Sequence, residues 1–153
     1  MFRAYIKDTD DLDYNDVPHK GHFVYGNLIK GKPNDDVDAI VGDLIEIHDE
    51  YVNVEWWQSI EKGSAEQSTG MNDANGKEIY EGDIIITHPE YDGEESKRGI
   101  VKYGNCRAEF TYEIRKGDNR TIWSSNEYRT YEVIGNVHTN PELLEAQHDT
   151  RTD

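Results

Sequence analysis

The segment from Ser68 to Ile84, STGMNDANGKEIYEGDI, constrains the fold most strongly because it joins a tight-turn pattern to an apolar strand pattern. Asn75-Gly76 is typical of a two-residue type I′ hairpin turn, which needs positive φ at both positions. Glu81-Gly82-Asp83 then leads into Ile84-Ile85-Ile86, a short apolar run that suits a strand covered on both faces. We therefore expect strands on both sides of Asn75-Gly76 and a core-crossing strand from residue 84.

Alternation of apolar and polar residues predicts further strands with one buried face. Phe2, Ala4 and Ile6 alternate with polar neighbours at the start of the chain. Residues 106 to 115 do the same and are expected to pair with Ile100 to Tyr103 across Gly104-Asn105. Val and Ile total 23 against five Leu, which favours strands over helices. The fold class predicted is mainly β.

Weaker patterns complete the expected order of elements. Strands are predicted over residues 22–29, 37–47, 51–57, 120–123 and 128–137, with turns at 31–35 and 117–119 and a bulge at Gly135. Residues 58–69 fit a linker, a loop or a short helix, and residues 8–16 and 88–97 are expected to be acidic loops. Asn140 and Pro141 predict the start of a short C-terminal helix.

Three segments together carry a resemblance to a known family. Residues 68–84, with GHFVYGNLIKGK at 21–32 and YEVIGNVHTNPELL at 131–144, resemble the YopX proteins of phages and prophages. The resemblance covers roughly residues 1–145. It implies a mainly β fold of two packed, strongly bent antiparallel sheets, like a distorted barrel or sandwich. It also implies an accessory protein with no established biochemical role, and it supplies no catalytic residue.

Domain organisation and cellular setting follow from composition. Because no Pro- or Ser-rich tract divides the chain, we expect one domain over residues 1–145 and a polar tail over 146–153. The chain has one cysteine, no charged leader followed by an apolar stretch, and no apolar run of membrane-spanning length. These features predict a soluble intracellular protein that does not enter a membrane, and the resemblance to phage proteins implies the cytoplasm of the bacterial host.

The acidic loop near the start contains a partial calcium-binding pattern. Asp11, Asp13 and Asn15 stand at positions 1, 3 and 5 of an EF-hand template. Asp16 replaces the glycine at position 6, and His22 replaces the bidentate glutamate at position 12. A solvated acidic loop accounts for the same residues, so the three are weak metal candidates.

Other chemistry-bearing residues have structural interpretations that compete with catalysis. His19 and His22 alone have a spacing that suits a shared metal, and no HExxH motif is present. Cys106 falls on the apolar face of its predicted strand, where a thiol behaves as a small hydrophobe. The pairs Glu78 with Glu81 and Glu81 with Asp83 are candidates for acid–base hydrolysis, but chance pairs are expected among 32 acidic residues. We predict no cofactor and assign no catalytic residue.

Trp56-Trp57 is the best aromatic candidate for an interaction site. Adjacent strand residues face opposite ways, so one indole is expected inside and the other at the surface. Trp57 is expected to be the exposed one, and coverage of a second sheet face is the alternative.

Net charge restricts the class of partner. The chain carries a net charge of −16, and its first hundred residues hold 23 acidic against nine basic side chains. Such a field repels a duplex phosphate backbone and accelerates encounter with a basic protein surface. We therefore expect a noncatalytic protein-binding module whose acidic loops guide docking. The candidate contact residues are Trp57, Asp10, Asp11, Asp13, Glu94 and Glu95.

Several alternatives remain open at the level of sequence. A sharper version of the docking hypothesis is mimicry of DNA, and mere solubility explains the same acidic residues. A small carboxylate- or metal-dependent hydrolase and a single-strand nucleic-acid binder are alternatives from other classes. Homo-oligomerisation is also open.

Overall fold

The computed structural model describes residues 1–12, 17–89, 93–104, 108–122 and 131–144, apart from the side chain of Asp11. The described chain is mainly β, as predicted, with one short helical turn at residues 142–144 near the C-terminus. A 3-10 turn spans Thr9–Asp11. The strands in this part of the chain are β1 Phe2–Tyr5, β2 Phe23–Ile29, β3 Val37–Val41, β4 Leu44–Ile47, β5 Val52–Val54, β6 Trp57–Glu61, β7 Glu66–Asn72, β8 Glu78–Tyr80, β9 Asp83–Thr87, β10 Arg98–Tyr103, β11 Phe110–Arg115, β12 Asp118–Thr121 and β13 Tyr131–Asn136.

The described strands form three sheets, none of which closes into a barrel. The chain divides into two compact units, Met1–Gln67 and Ser68–Asp153. The expected single domain over residues 1–145 stays a prediction, and the expected tail at 146–153 lies outside the described residues. No helix in the described part of the chain is long and apolar enough to span a membrane.

The first unit is built on antiparallel strands in the order β6-β3-β2-β1, and β1 also pairs with Glu66 and Gln67 at the start of β7. Alternating residues of these strands meet in a core. Its buried members are Ala4, Val17, Val24, Ile40 and Ile60, with Phe2, Ile6, Leu12, Leu28, Trp56 and Ala65 packed against it. The predicted inward set at the start of β1 is therefore correct.

Two predicted strands of this unit are interrupted. The expected strand over residues 37–47 breaks at Gly42-Asp43 into β3 and β4, and the one over 51–57 breaks at Glu55-Trp56 into β5 and β6. A Cβ on Gly42 would lie 2.5 Å from Trp56 Nε1, so the missing side chain makes room for the indole. Residues 58–69, expected as a linker, loop or helix, instead supply β6 and much of β7. One of their buried positions is occupied by the polar residue Gln58, so apolar and polar residues do not alternate clearly in this stretch.

The second unit contains a five-stranded antiparallel sheet in the order β12-β11-β10-β9-β13, together with the β7-β8 hairpin. Strand β9 lies between β10 and β13, and Ile84 and Ile85 are fully buried, as the apolar run predicted. The core comprises Ile79, Ile85, Val101, Tyr112, Ile122 and Tyr131. The predicted bulge is confirmed, because the register of β13 shifts between Val133 and Gly135.

Three turns differ in detail from their predicted form. Asn75 does not take positive φ, and only Gly76 does, at 84°. The Gly76 amide donates to the Asp73 carbonyl at 3.0 Å, and the Asp73 amide donates to the Lys77 carbonyl at 2.7 Å. The hairpin therefore turns through Asp73–Lys77, where Gly76 alone needs the left-handed conformation.

The other two turns are shifted in the sequence. Strands β10 and β11 form the predicted hairpin, but their register pairs Tyr103 with Phe110, so residues 104–109 connect them. Gly104-Asn105 is thus not a two-residue turn, and Cys106 lies outside the described residues. The next turn is Lys116-Gly117, because Asp118 already pairs with Arg115 in β12.

Candidate interaction surface

The segment from Asp43 to Glu55 forms a two-stranded hairpin, here called the ribbon. Its strands β4 and β5 pair only with each other among the described strands. Leu44 lies opposite Val54 and Ile47 lies opposite Val52, with a bulge between Leu44 and Glu46. Since cross-strand partners point to the same side of a sheet, these four side chains share one face.

The apolar face of the ribbon is uncovered. Leu44, Ile47 and Val52 are 55%, 70% and 57% exposed. Ile45 and Tyr51, elsewhere on the ribbon, are 60% and 56% exposed. Contiguous apolar exposure of this kind is typical of interaction sites, whereas single exposed apolar side chains are ordinary.

The opposite face of the ribbon is polar and internally bonded. Asn53 Nδ2 donates to Glu46 Oε1 at 3.1 Å, and His48 Nε2 lies 3.0 Å from Glu46 Oε2. The His48 ring stacks on Tyr51 with centroids 4.4 Å apart, and the His48 amide donates to the Tyr51 carbonyl at 2.8 Å. These contacts hold the tip, at which Asp49 and Glu50 turn the chain.

The base of the ribbon is fixed to the first unit. The Gly42 amide donates to the Trp56 carbonyl at 3.0 Å, and the Glu55 amide donates to the Asp43 carbonyl at 2.9 Å. Trp56 packs against the core of that unit. Backbone pairing and a packed indole therefore orient the ribbon where it leaves the sheet.

All formal charges on the ribbon are negative. Asp43, Glu46, Asp49, Glu50 and Glu55 supply five carboxylates, and no Lys or Arg occurs between residues 43 and 55. The ribbon thus combines an exposed apolar face with formal charges that are all negative.

Trp57 begins β6, two residues after the ribbon ends at Glu55. Its side chain is 41% exposed, whereas Trp56 packs against the core, which is the division expected from their adjacency. A contact role for Trp57 stays a prediction.

A contact role for the other predicted residues stays a prediction. Asp10 is exposed in the 3-10 turn, with its amide donating to Asp8 Oδ1 at 3.0 Å. Glu95 is exposed and Glu94 is half-buried in the loop after β9. Asp13 and Asn15 lie outside the described residues, as does the side chain of Asp11. The calcium hypothesis therefore stays untested.

Histidines and metal ligands are not gathered in the described ranges. His19 Nδ1 lies 2.9 Å from the Gly21 carbonyl oxygen, and His22 Nδ1 lies 2.9 Å from that of Ile6. Within those ranges, no group of three His, Cys, Asp or Glu side chains is placed to hold a metal ion.

Two aspartates of the 68–84 segment have structural roles that the sequence reasoning missed. Asp73 is buried, and its Oδ1 accepts from the amides of Asn75 and Lys77 at 2.9 and 2.8 Å. Its Oδ2 accepts from the Val133 amide at 2.9 Å, which links the hairpin turn to β13. Asp83 is also buried, and its Oδ2 accepts from the Tyr80 amide at 2.8 Å. The segment's distinctive residues therefore build a turn.

A third buried aspartate organises the first unit. Asp38 Oδ2 accepts from the Gly63 amide and Oδ1 from the Gly31 amide, both at 2.9 Å. Lys62 Nζ lies 3.6 Å from Oδ1. The bond from Gly63, then that from Gly31, and finally the Lys62 charge lower the pKa of Asp38 below its ordinary value.

The ribbon itself was also missed from sequence. Two sequence features could have indicated it. Two short apolar segments flank His48-Asp49-Glu50, and the whole stretch has five acidic side chains and no Lys or Arg. Alternation alone does not reveal it, because an exposed ribbon and a sheet strand share the same period of two.

Comparisons with known proteins give a matching family model and similar solved structures. The family model described as YopX protein matches residues 17–145. The chain is similar to the crystal structure of protein EF1440 from Enterococcus faecalis, with 29% identity, a TM-score of 0.50, and coverage of 77% of this chain and 85% of that chain. It is also similar to protein yopX from Bacillus subtilis, with 22% identity, a TM-score of 0.47, and coverage of 93% and 95%. No curated protein matches. Because the family model spans well over half of the sequence, the chain belongs to the YopX family.

Proposed function

We propose that this chain is a noncatalytic accessory protein of a phage or prophage that binds a protein with a basic surface in the host cytoplasm. The observation that carries the proposal is the ribbon, which has exposed apolar side chains and whose formal charges are all carboxylates. Apolar area supplies binding free energy, and charge complementarity supplies rapid and selective encounter.

The buried carboxylates of the 68–84 segment have structural hydrogen bonds that offer an alternative to a role in hydrolysis. Hydrolysis by paired carboxylates requires acidic groups that meet at a substrate. Asp73 and Asp83 instead direct oxygens at backbone amides inside the second unit. These bonds account for both residues without catalysis.

Affinity capture tests the proposal. The tagged protein is incubated with host lysate, and captured proteins are eluted by raising the salt concentration. We expect a basic protein that elutes with salt, because screening weakens charge attraction. Absence of any protein beyond the tag-only control would contradict the proposal.

Two charge variants sharpen this measurement. Asp49→Asn with Glu50→Gln removes two carboxylates from the ribbon tip and should lower the salt needed for elution. Asp36→Asn with Glu61→Gln removes the same charge from exposed positions outside the ribbon and is the matched control. Competition by duplex DNA would support mimicry of DNA, and indifference to DNA would contradict that version.

A further inference from the structure

We infer that the ribbon is the docking element and that it inserts its apolar face into an apolar groove flanked by Lys or Arg on a partner protein. This inference rests on the proposed function and names the surface and the partner chemistry. Leu44, Ile47 and Val52 would contact the floor of the groove, and the ribbon carboxylates would meet its basic edges.

The exposed apolar face of the ribbon favours burial against a partner. A two-stranded hairpin is marginally stable alone in water, and among the described strands this one pairs with no third strand. Three of the four side chains on that face, Leu44, Ile47 and Val52, are each more than half exposed, and Val54 is half-buried. Covering them removes apolar surface from water and supports the hairpin at the same time.

Charge identifies the occupant. The ribbon carries five carboxylates, and any of them that lose water when the apolar face is buried require cationic partners. A second copy would bring two such sets together, which is repulsive at short range. Duplex DNA and anionic lipid carry the wrong charge as well. A basic-edged protein groove satisfies both the apolar and the acidic groups.

The ribbon is preorganised for binding by contacts at its base and at its tip. The Gly42–Trp56 and Glu55–Asp43 backbone bonds fix the base, and the His48–Tyr51 stack fixes the tip. A hairpin held at both ends loses little conformational entropy when it binds.

Defined peptides provide the test. The full chain is titrated with a peptide of alternating leucine and lysine, which presents apolar and cationic groups together. We expect saturable binding that weakens with salt, with amide NMR shifts concentrated in residues 43–55. A serine–lysine peptide should bind more weakly, and a leucine–glutamate peptide should not bind. Equal binding of the serine–lysine peptide, or shifts elsewhere, would overturn the apolar contact.

Matched variants identify the surface. Ile47→Ser with Val52→Ser removes exposed apolar groups from the ribbon and should weaken peptide binding about tenfold or more. Ile29→Ser with Val37→Ser removes similar groups that are 50% and 49% exposed outside it, and should bind like the original chain. Both should retain the original circular dichroism spectrum. If the ribbon double variant unfolds, Asp49→Lys with Glu50→Lys at the tip serves instead and should also weaken binding. Original affinity in the folded ribbon variant would overturn the inference.

Lysate capture distinguishes a failure of this inference from a failure of the proposed function. If the original chain captures a salt-eluted protein and the Ile47→Ser, Val52→Ser variant captures equal amounts, the inference fails while the proposed function survives. If the original chain captures nothing, the proposed function fails. A concentration-dependent dimer that this variant abolishes, measured by sedimentation, would assign the face to a second copy and overturn the inference.

Discussion

At the scale of residues, hydrogen bonds within the fold account for the buried charged side chains of Asp38, Asp73 and Arg3. Asp38 and Asp73 each accept amide hydrogen bonds from segments distant in sequence. Arg3, expected on the outer face of β1, is buried, with Nε donating to Glu66 at 3.0 Å and its guanidinium 4.4 Å from the Phe23 ring centre. Alternation assigns a side chain to the core from its polarity alone. It therefore misplaces a charged side chain, such as that of Arg3, whose bonding partners lie on other strands.

Asp73 should be a strong determinant of stability in the second unit. Asp73→Ala removes the acceptor for three backbone amides and is expected to lower the free energy of unfolding by about 2–4 kcal/mol. Urea denaturation measures the loss. Lys77→Ala keeps its backbone amide and is the control, with little expected change. A loss below that of the control would contradict the role assigned to Asp73.

Asp38 should make the stability of the first unit depend on pH at the acidic end. Its pKa is lowered in the folded chain, so its contribution is complete above the unfolded value near 3.8. The contribution is lost as the pH falls through the lower folded pKa. Asp38→Asn is therefore expected to be less stable near neutral pH, with the difference shrinking in acid. Unfolding by urea at a series of pH values measures this difference.

Lys62→Met provides the comparison for Asp38. It removes the cation but leaves the two stronger amide bonds from Gly63 and Gly31, so its effect should be smaller. An Asp38→Asn difference that does not change with pH would contradict the linkage.

At the scale of elements, alternation and turn composition predicted strands at β1, β2, β9, β10, β11 and β13, because each carries its own local pattern. The breaks at Gly42-Asp43 and Glu55-Trp56 were not predictable in this way. They depend on Trp56 meeting Gly42 across 14 positions of sequence. The same interruption separates the ribbon from the neighbouring strands. One cause therefore explains why neither the breaks nor the candidate site was predicted from the sequence. Exposure of Trp57 was foreseen because adjacent strand residues must face opposite ways.

Gly42→Ala should therefore disturb the base of the ribbon. The added Cβ would lie 2.5 Å from Trp56 Nε1 and 2.8 Å from its Cδ1, which forces the indole to shift. We expect a loss of about 1–3 kcal/mol in the free energy of unfolding, measured by urea denaturation. Trp56→Phe in the Gly42→Ala background should recover part of this loss, because the smaller ring relieves the overlap. Additive losses would contradict a direct Gly42–Trp56 contact.

At the scale of the whole molecule, the proposed binding divides into two steps, of which net charge affects one and apolar exposure affects the other. A net charge of −16 acts at long range and affects encounter. The apolar face of the ribbon acts only in contact and affects dissociation. The sequence predicted the first property directly from composition. The second needed the structure, because exposure is decided by which strands find partners.

This division gives a kinetic prediction for the leucine–lysine peptide. Asp49→Asn with Glu50→Gln should slow association and flatten its dependence on salt, while leaving dissociation nearly unchanged. Ile47→Ser with Val52→Ser should instead accelerate dissociation about tenfold, with little effect on association. Stopped-flow fluorescence at several salt concentrations separates the two rate constants. If both variants altered only dissociation, long-range attraction by the acidic side chains would be contradicted, and their carboxylates would act only as contact groups on the ribbon.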